Sequence, residues 1–352
     1  MKKFVINGLF MCEKLSGVQR YAVEVLKIVD ELIGKNDISM EILVPCETVE
    51  TWRPVNIRLI EPKTKSDING IGKHWWLNVI LPAYASKNKA TIINLCNNGP
   101  LFKRCLTSMH DIIYRTDPEF FTFRQRLLPE IYYFFQARNS KHIFTLTQYT
   151  ADQLKKYYGV KDYRVTVTGV GWEHILKVGE DKSVLDRYGL SEGGYYISVG
   201  NVTPHKNFLW VIEEAINNPA ERFVVIGSNV HGISRGRRIE IPENVQFVGR
   251  ASDEAVKSLM LNAKALLFPS FCEGFGIPPL EMLGLGGNAI VADSSCLPEV
   301  FRGSVLYVDP LKTDYRFTDF SFEGLEAEKE RVLKKYTWDV VAKRWMNLLN
   351  EV

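Results

Sequence analysis

At 352 residues the chain is too long for one small domain and of the usual size for two, so two cores flanking a cleft are expected. With 46% hydrophobic and 24% charged residues, the composition excludes a disordered or fibrous architecture. The net charge of +3, with both signs mixed along the chain, excludes the single-sign field of a dedicated nucleic-acid binder.

The opening stretch MKKFVINGLFMC is basic and then apolar, but Asn7 and Gly8 interrupt it and Glu13 and Lys14 end it. Residues 3–7 therefore read as a first β-strand and not as a secretion signal. Met11 before Cys12 is not the small residue that a lipoprotein site needs. A helix follows at 18–33, where Val18, Tyr21, Ala22, Val25, Leu26, Val29 and Leu32 form one stripe. Short runs rich in Val, Ile and Phe at 40–44, 91–95, 106–110, 143–146 and 165–168 complete a first series of strands. The glycine-containing, charged stretch 169–194 has no strong period and reads as the crossover between domains. A second series of strands falls at 195–199, 223–226, 245–248, 265–268, 289–291 and 305–308. Residues 337–349 form an amphipathic tail, with Thr337 as N-cap and Val340, Val341, Trp345 and Leu348 on one face. Strands alternating with helices imply parallel sheets covered by helices, an α/β class with two Rossmann-like domains facing a central cleft. The boundaries fall at 1–170, 171–335 and 336–352, the last being a helix expected to return to the first domain.

No apolar run reaches the ~18 residues of a spanning helix, so membrane contact would be peripheral. Residues 118–142 (PEFFTFRQRLLPEIYYFFQARNSKH) mix aromatics with basic groups and allow two readings: a lipid-facing amphipathic helix, or a packed helix with a basic outer face. The six cysteines form neither a CxxC pair nor a His-interleaved set, which argues against a zinc site or a redox dithiol and for reduced thiols in the cytoplasm.

Chemistry concentrates in PSFCEGFGIPPLEMLGLG, residues 269–286, where a strand ends, a glycine loop follows and Pro278 and Pro279 open a helix. Gly274 and Gly276 let backbone amides approach a ligand, and the helix start adds partial positive charge. Glu273 and Glu281 flank this loop, and a carboxylate can accept from two vicinal hydroxyls at once. Upstream, Thr203 and Pro204 place Lys206 near a helix start, where an ammonium and the helix amides together favour an anion. No DxD occurs in the chain, so catalysis without a metal is expected.

Glu273, seven residues and Glu281 around EGFG resemble the signature of the retaining glycosyltransferase family 4, also called glycosyl transferases group 1, with its GT-B architecture. Further ordered blocks are similar: SGVQRY at 16–21, MHD at 109–111, TQYTADQL at 147–154, VGNVTPHKNF at 199–208 and SSCLPEV at 294–300. The resemblance implies a nucleotide-diphosphate sugar as donor and a saccharide or lipid-linked saccharide as acceptor. It gives Glu273 the donor sugar and Glu281 the ribose, with Gly274, Phe275, Gly276 and Ile277 supplying loop contacts and Gly200 the diphosphate turn. His110, from MHD, would reach into the cleft and orient the sugar, while Gly17 and Arg20 lie in the glycine loop of the first domain. Retaining front-face transfer then lets the leaving phosphate take the acceptor's proton, and domain closure on the donor follows. Overall similarity is greatest to mannosyltransferases of surface polysaccharide assembly (O-antigen or capsule), working at the inner face of the membrane.

The chain departs from the pattern where an arginine is usual, with Asn201 and His205 in its place, so Arg250 or Arg20 is expected to supply the second phosphate cation. GLGGNAIVADSS also departs from the usual small-residue run. Plainer readings stand beside these: Lys206 as a solvated charge, His110 as a hydrogen-bonded core histidine, Gly17 as a turn residue, and Arg235, Arg237 and Arg238 as a solvated loop or an anchor for an anionic acceptor. Two other functions remain in view. A nicotinamide oxidoreductase is disfavoured because INGLFMCEKLSG lacks GxGxxG spacing. A non-catalytic sugar-nucleotide-binding partner of an assembly complex is suggested only by Asn201 and His205.

Overall fold

The computed structural model describes residues 2–34, 37–50, 52–61, 70–227 and 240–351. Arg235, Arg237 and Arg238 lie outside the described residues. Contacts divide the chain into two units, Met1–Val170 with Trp338–Val352, and Gly171–Thr337.

The first unit runs β1 (Lys2–Asn7), α1 (Gly17–Ile33), β2 (Ile38–Leu43) and β3 (Arg58–Ile60). Next come α2 (Gly70–Trp75), a π-helical turn (Trp76–Ile80) and α3 (Leu81–Lys87). The unit is completed by β4 (Thr91–Asn94), β5 (Cys105–Ser108), α4 (Ile113–Thr116), α5 (Phe123–Asn139), β6 (His142–Thr145), α6 (Gln148–Tyr158) and β7 (Val165–Val167). Its strands pair in parallel in the order β3-β2-β1-β4-β5-β6-β7. β5 is buried at all four positions, on both faces of the sheet, although Thr107 and Ser108 make it less apolar than the usual buried parallel strand. β3 escaped the sequence reading because three residues at a sheet edge carry almost no periodic signal.

The second unit contains α7 (Val184–Tyr188), β8 (Tyr196–Val199), α8 (Phe208–Asn217), β9 (Phe223–Ile226), β10 (Val245–Gly249) and α9 (Asp253–Leu261). It continues with β11 (Ala265–Phe268), α10 (Ile277–Gly284), β12 (Ala289–Ala292), α11 (Leu297–Phe301), β13 (Leu306–Val308) and α12 (Glu326–Lys335). Its sheet is also parallel, in the order β10-β9-β8-β11-β12-β13. Trp210 and Phe223 anchor one core layer of this unit, with Phe317 closing over both at ring separations of 6.3 and 5.3 Å. Each large buried side chain of this kind contributes about 1.5–3 kcal/mol through removal from water.

Both sheets reverse their strand order once, between β1 and β4 and between β8 and β11, and ligands in such sheets bind outside the carboxyl ends of the strands at that point. The stretch 169–194 is more than a crossover. Residues from Gly171 onward belong to the second unit, where the 3-10 turn Glu173–Lys177 buries His174 and Ile175.

The final helix, α13 (Trp338–Glu351), joins the first unit. Trp345 Nε1 donates to the Tyr21 hydroxyl at 2.9 Å and its ring stacks on Phe144. Its buried face is Trp338, Val341, Ala342, Trp345, Met346 and Leu349, so the expected face with Val340 and Leu348 is corrected by a rotation. Trp338 is itself one of the buried side chains of this face.

Candidate functional site

The site in the second unit forms where the loops after β8 and β11 meet, because these strands are neighbours with Ala265 opposite Tyr196 and Leu266 opposite Ile197. After β8 the chain turns through Gly200 and Asn201 into a 3-10 turn, Pro204–Lys206. Asn207 then adopts a left-handed conformation and precedes α8, its amide donating to Pro310 O at 2.9 Å. The expected capping by Thr203 is corrected: its hydroxyl caps no helix amide, and α8 starts only after Asn207, one residue beyond Lys206.

The loop after β11 is tied to the first one through the backbone, Phe271 N donating to His205 O at 2.8 Å. Glu273 N donates to Ser295 Oγ at 3.1 Å, and Cys296 Sγ donates to Glu273 O at 3.3 Å. So held, Glu273 Oε1 accepts from Lys206 Nζ at 2.6 Å, with both side chains largely buried. The ammonium also lies over the Phe268 ring, 5.2 Å from its centre. Two strand ends that are 67 residues apart in sequence thus bring one cation and one anion together.

Gly276 has φ +97°, and a Cβ there would stand 2.8 Å from Leu297 Cδ2, so both conformation and space demand glycine. Gly274 and Ile277 are partly exposed on either side of it. Phe275 is buried edge-on against Tyr336 with ring centres 5.1 Å apart, so its side chain faces inward and only its backbone is available to a ligand.

Glu281 is the fifth residue of α10 and so begins its second turn, a correction to the expected first-turn position. Its Oε1 accepts from His174 Nε2 at 2.6 Å, and the imidazole is almost wholly buried. His174 was hidden in the stretch read as a connector. Trp172 secures the same turn: its indole fills the space that a Cβ at Gly284 would occupy and donates to Leu333 O at 3.2 Å. A tryptophan and an isoleucine flanking a histidine inside a supposed linker were the one sequence signal of this packing.

His205 is buried, and burial followed by the neighbouring Lys206 charge pushes its pKa down to about 4. At neutral pH it carries no charge and cannot replace the arginine absent from this turn. Asn201 is exposed beside it. Arg250 is exposed beyond β10, the edge strand, with β9 lying between β10 and β8. Among the described residues no ion pair joins it to Glu273, but the preceding Gly249 O accepts from Gly227 N at 2.9 Å and a Cβ at Gly227 would stand 2.0 Å from Gly200 O, so the end of β10 lies near the turn after β8.

In the first unit, His110 follows β5 and is buried. Its backbone N–H donates to Asn97 Oδ1 at 2.7 Å, and its Nε2–H donates to Leu95 O at 3.0 Å. Tyr21 packs edge-on against the ring at 4.6 Å. The expected outward-reaching polar tip is thereby corrected: Nε2 is engaged inside the unit, leaving Nδ1 as an acceptor, and burial lowers the pKa to about 4. Gly17 opens α1 without a left-handed φ, and Arg20 N donates to Ser16 O in the first turn of the same helix.

Two histidine resonances are therefore expected to titrate near pH 4 in a proton NMR titration, not near 6.5. As pH falls from about 6.5 toward 4 the unfolded chain binds protons that His110 and His205 refuse, so both lower stability over that window. Glu214, raised to about 7 by burial, has the opposite sign: the folded chain takes up its proton first, and its stabilisation is lost as pH rises through 7.

Two doubly wound parallel units constitute the fold of GT-B glycosyltransferases. Residues 187–311, within the second unit, match the family of glycosyl transferases group 1. The chain is 26% identical over 234 residues to the O-antigen chain mannosyltransferase RfbU of Salmonella typhimurium, covering 63% of this chain and 62% of that protein. It is likewise 26% identical over 243 residues to the O-antigen chain mannosyltransferase B of Escherichia coli, covering 62% of each. The alignments thus span about three fifths of the length of these curated relatives. Among solved structures, a sucrose-phosphate synthase from Thermosynechococcus elongatus superposes with a TM-score of 0.74 at 15% identity, covering 100% of this chain and 99% of that one. The Anabaena protein HepE, in complex with UDP-glucose, superposes with a TM-score of 0.71 at 12% identity, covering 100% of both chains.

Proposed function

We propose that the protein is a retaining, metal-independent glycosyltransferase that moves a hexose or deoxyhexose, mannose by preference, from a nucleoside-diphosphate sugar to a saccharide acceptor in surface polysaccharide assembly. The observation that carries this reading is the 2.6 Å Lys206–Glu273 pair at the β8/β11 reversal, inside the matched family domain. Mannose is favoured because the aligned relatives from Salmonella and Escherichia are mannosyltransferases of O-antigen chains.

In this reading Lys206 stabilises negative charge as the diphosphate departs, while Glu273 accepts from sugar hydroxyls and Glu281 from the ribose. Loop amides at Gly274, Phe275 and Gly276 complete an anion-binding turn ahead of α10. The bond between the anomeric carbon and the phosphate oxygen breaks, the acceptor oxygen bonds to the same face, and the acceptor's proton passes to the departing phosphate. Neutral His205 and the Asn201 amide offer polarity to the phosphates but no charge, so Lys206 is the principal cation of this unit's site.

The test is a thermal-shift and turnover screen of GDP-, UDP- and dTDP-sugars against the whole chain. A raised melting temperature and slow donor hydrolysis with one of them are expected; the proposal fails if none is bound and none is hydrolysed. Calorimetric binding without turnover across many acceptors would instead favour a non-catalytic sugar-nucleotide-binding partner, the reading to which neutral His205 lends weight.

A further inference from the structure

We propose that Ser295 is a positioning residue of the donor site: held in a left-handed backbone conformation, it turns its hydroxyl onto the amide of Glu273 and so fixes the carboxylate that meets the donor sugar. The role rests on the transferase reading of the same site. Ser295 has φ +49° although it carries a Cβ. That region is disfavoured for any residue but glycine, and such strain persists only where the surrounding structure over-determines it.

Three consecutive side chains between β12 and α11 bond the backbone of the loop after β11. Ser294 Oγ donates to Ser270 O at 2.8 Å, Ser295 Oγ accepts from Glu273 N at 3.1 Å, and Cys296 Sγ donates to Glu273 O at 3.3 Å. In an extended segment successive side chains point to opposite faces, so three in a row could not meet one neighbouring loop. The left-handed turn at Ser295 brings them to the same side. Further along, Leu297 Cδ2 and Phe301 Cε2 would stand 2.8 and 3.1 Å from a Cβ at Gly276, so α11 closes against the far end of that loop.

Glu273 is therefore held at two ends. Lys206 Nζ fixes its carboxylate at 2.6 Å, while Ser295 and Cys296 fix its own N–H and C=O. In the proposed reaction the ammonium is shared with the departing diphosphate, which loosens the first restraint and leaves the second to keep the carboxylate in register with the sugar. Glycine would adopt the same φ without strain and lacks only the hydroxyl, so Ser295→Gly separates backbone conformation from the bond to Glu273.

The experiment takes Ser295→Gly, Ser295→Asn, Glu273→Gln and the double variant Ser295→Gly with Glu273→Gln, and measures melting curves and the kcat and KM of the GDP-, UDP- or dTDP-sugar that the parent hydrolyses. Ser295→Gly is expected to melt within about 3 °C of the parent, because relief of strain offsets the lost hydrogen bond. Its kcat is expected to fall about tenfold or more, with donor KM changed less, as for a misplaced reacting group. Ser295→Asn tolerates the left-handed region and carries a side-chain carbonyl, so it is expected to recover part of kcat. With the carboxylate gone in Glu273→Gln, Ser295→Gly is expected to add less than about twofold, since the two act as one unit. A parent that binds and hydrolyses no donor overturns the transferase reading and this role with it. The role alone is overturned, with the parent active, by a kcat of Ser295→Gly within about twofold of the parent, by full additivity with Glu273→Gln, or by a melting temperature that falls in step with kcat.

Discussion

Lys206→Ala is expected to lower turnover of the sugar-nucleotide donor by about 10²- to 10³-fold, the scale on which a lost donor to developing negative charge is felt. The ammonium is held in place by Glu273 at 2.6 Å and by the face of Phe268, so it is oriented before any ligand arrives. Removing it leaves the largely buried Glu273 carboxylate without this partner, at a stability cost of about 1–3 kcal/mol. The two consequences separate in measurement. A melting curve reads the first-order structural cost, while kcat at saturating donor reads the loss at the leaving group. Lys206→Arg keeps the charge but spreads it over a planar fork, and an intermediate rate is expected. A kcat within about threefold of the parent in Lys206→Ala would remove the lysine from the reaction.

His174→Ala is expected to raise the donor KM about 10- to 100-fold with a much smaller change in kcat, because a charge-assisted hydrogen bond of about 1.5–3 kcal/mol is lost. In the proposed reading His174 acts through Glu281, as a positioning residue: the buried imidazole holds Oε1 at 2.6 Å. Trp172, wedged against Gly284, keeps the imidazole's turn against α10. His174→Gln, which restores an N–H donor, is expected to recover part of the affinity. A loss of melting temperature with KM unchanged would reduce His174 to a packing role.

The two predictions differ in how much of them was legible beforehand. Glu273, Glu281 and Lys206 stand in motifs whose spacing announces them, since a strand end, a glycine loop and a helix start are local events. His174 pairs with a residue 107 positions away, from a stretch with no period, and only the packing of that turn on α10 reveals it. His110 shows the converse. Its motif suggested an exposed tip, yet the carbonyl of Leu95 at the end of β4 captures Nε2 and turns the ring inward. Arg250 was offered as a phosphate cation because it follows a strand; β9 lies between that strand and β8, and the ends of the three strands meet where Gly249 O accepts from Gly227 N beside Gly200.

Strand by strand, the α/β alternation was plain in the sequence because parallel strands buried on both faces must be continuous apolar runs, as at Ala265–Phe268 and Ala289–Ala292. Local conformation and burial are therefore what the amino-acid order determined by itself: the strands, the glycine at 276, and the acidic and basic groups of the motifs. Which strands are neighbours, and hence that Lys206 meets Glu273, only the tertiary structure decided. The reason is physical: periodicity records whether a side chain is buried, whereas partners distant in sequence are chosen by the order in which strands pair and by the carbonyls and rings that pairing places alongside.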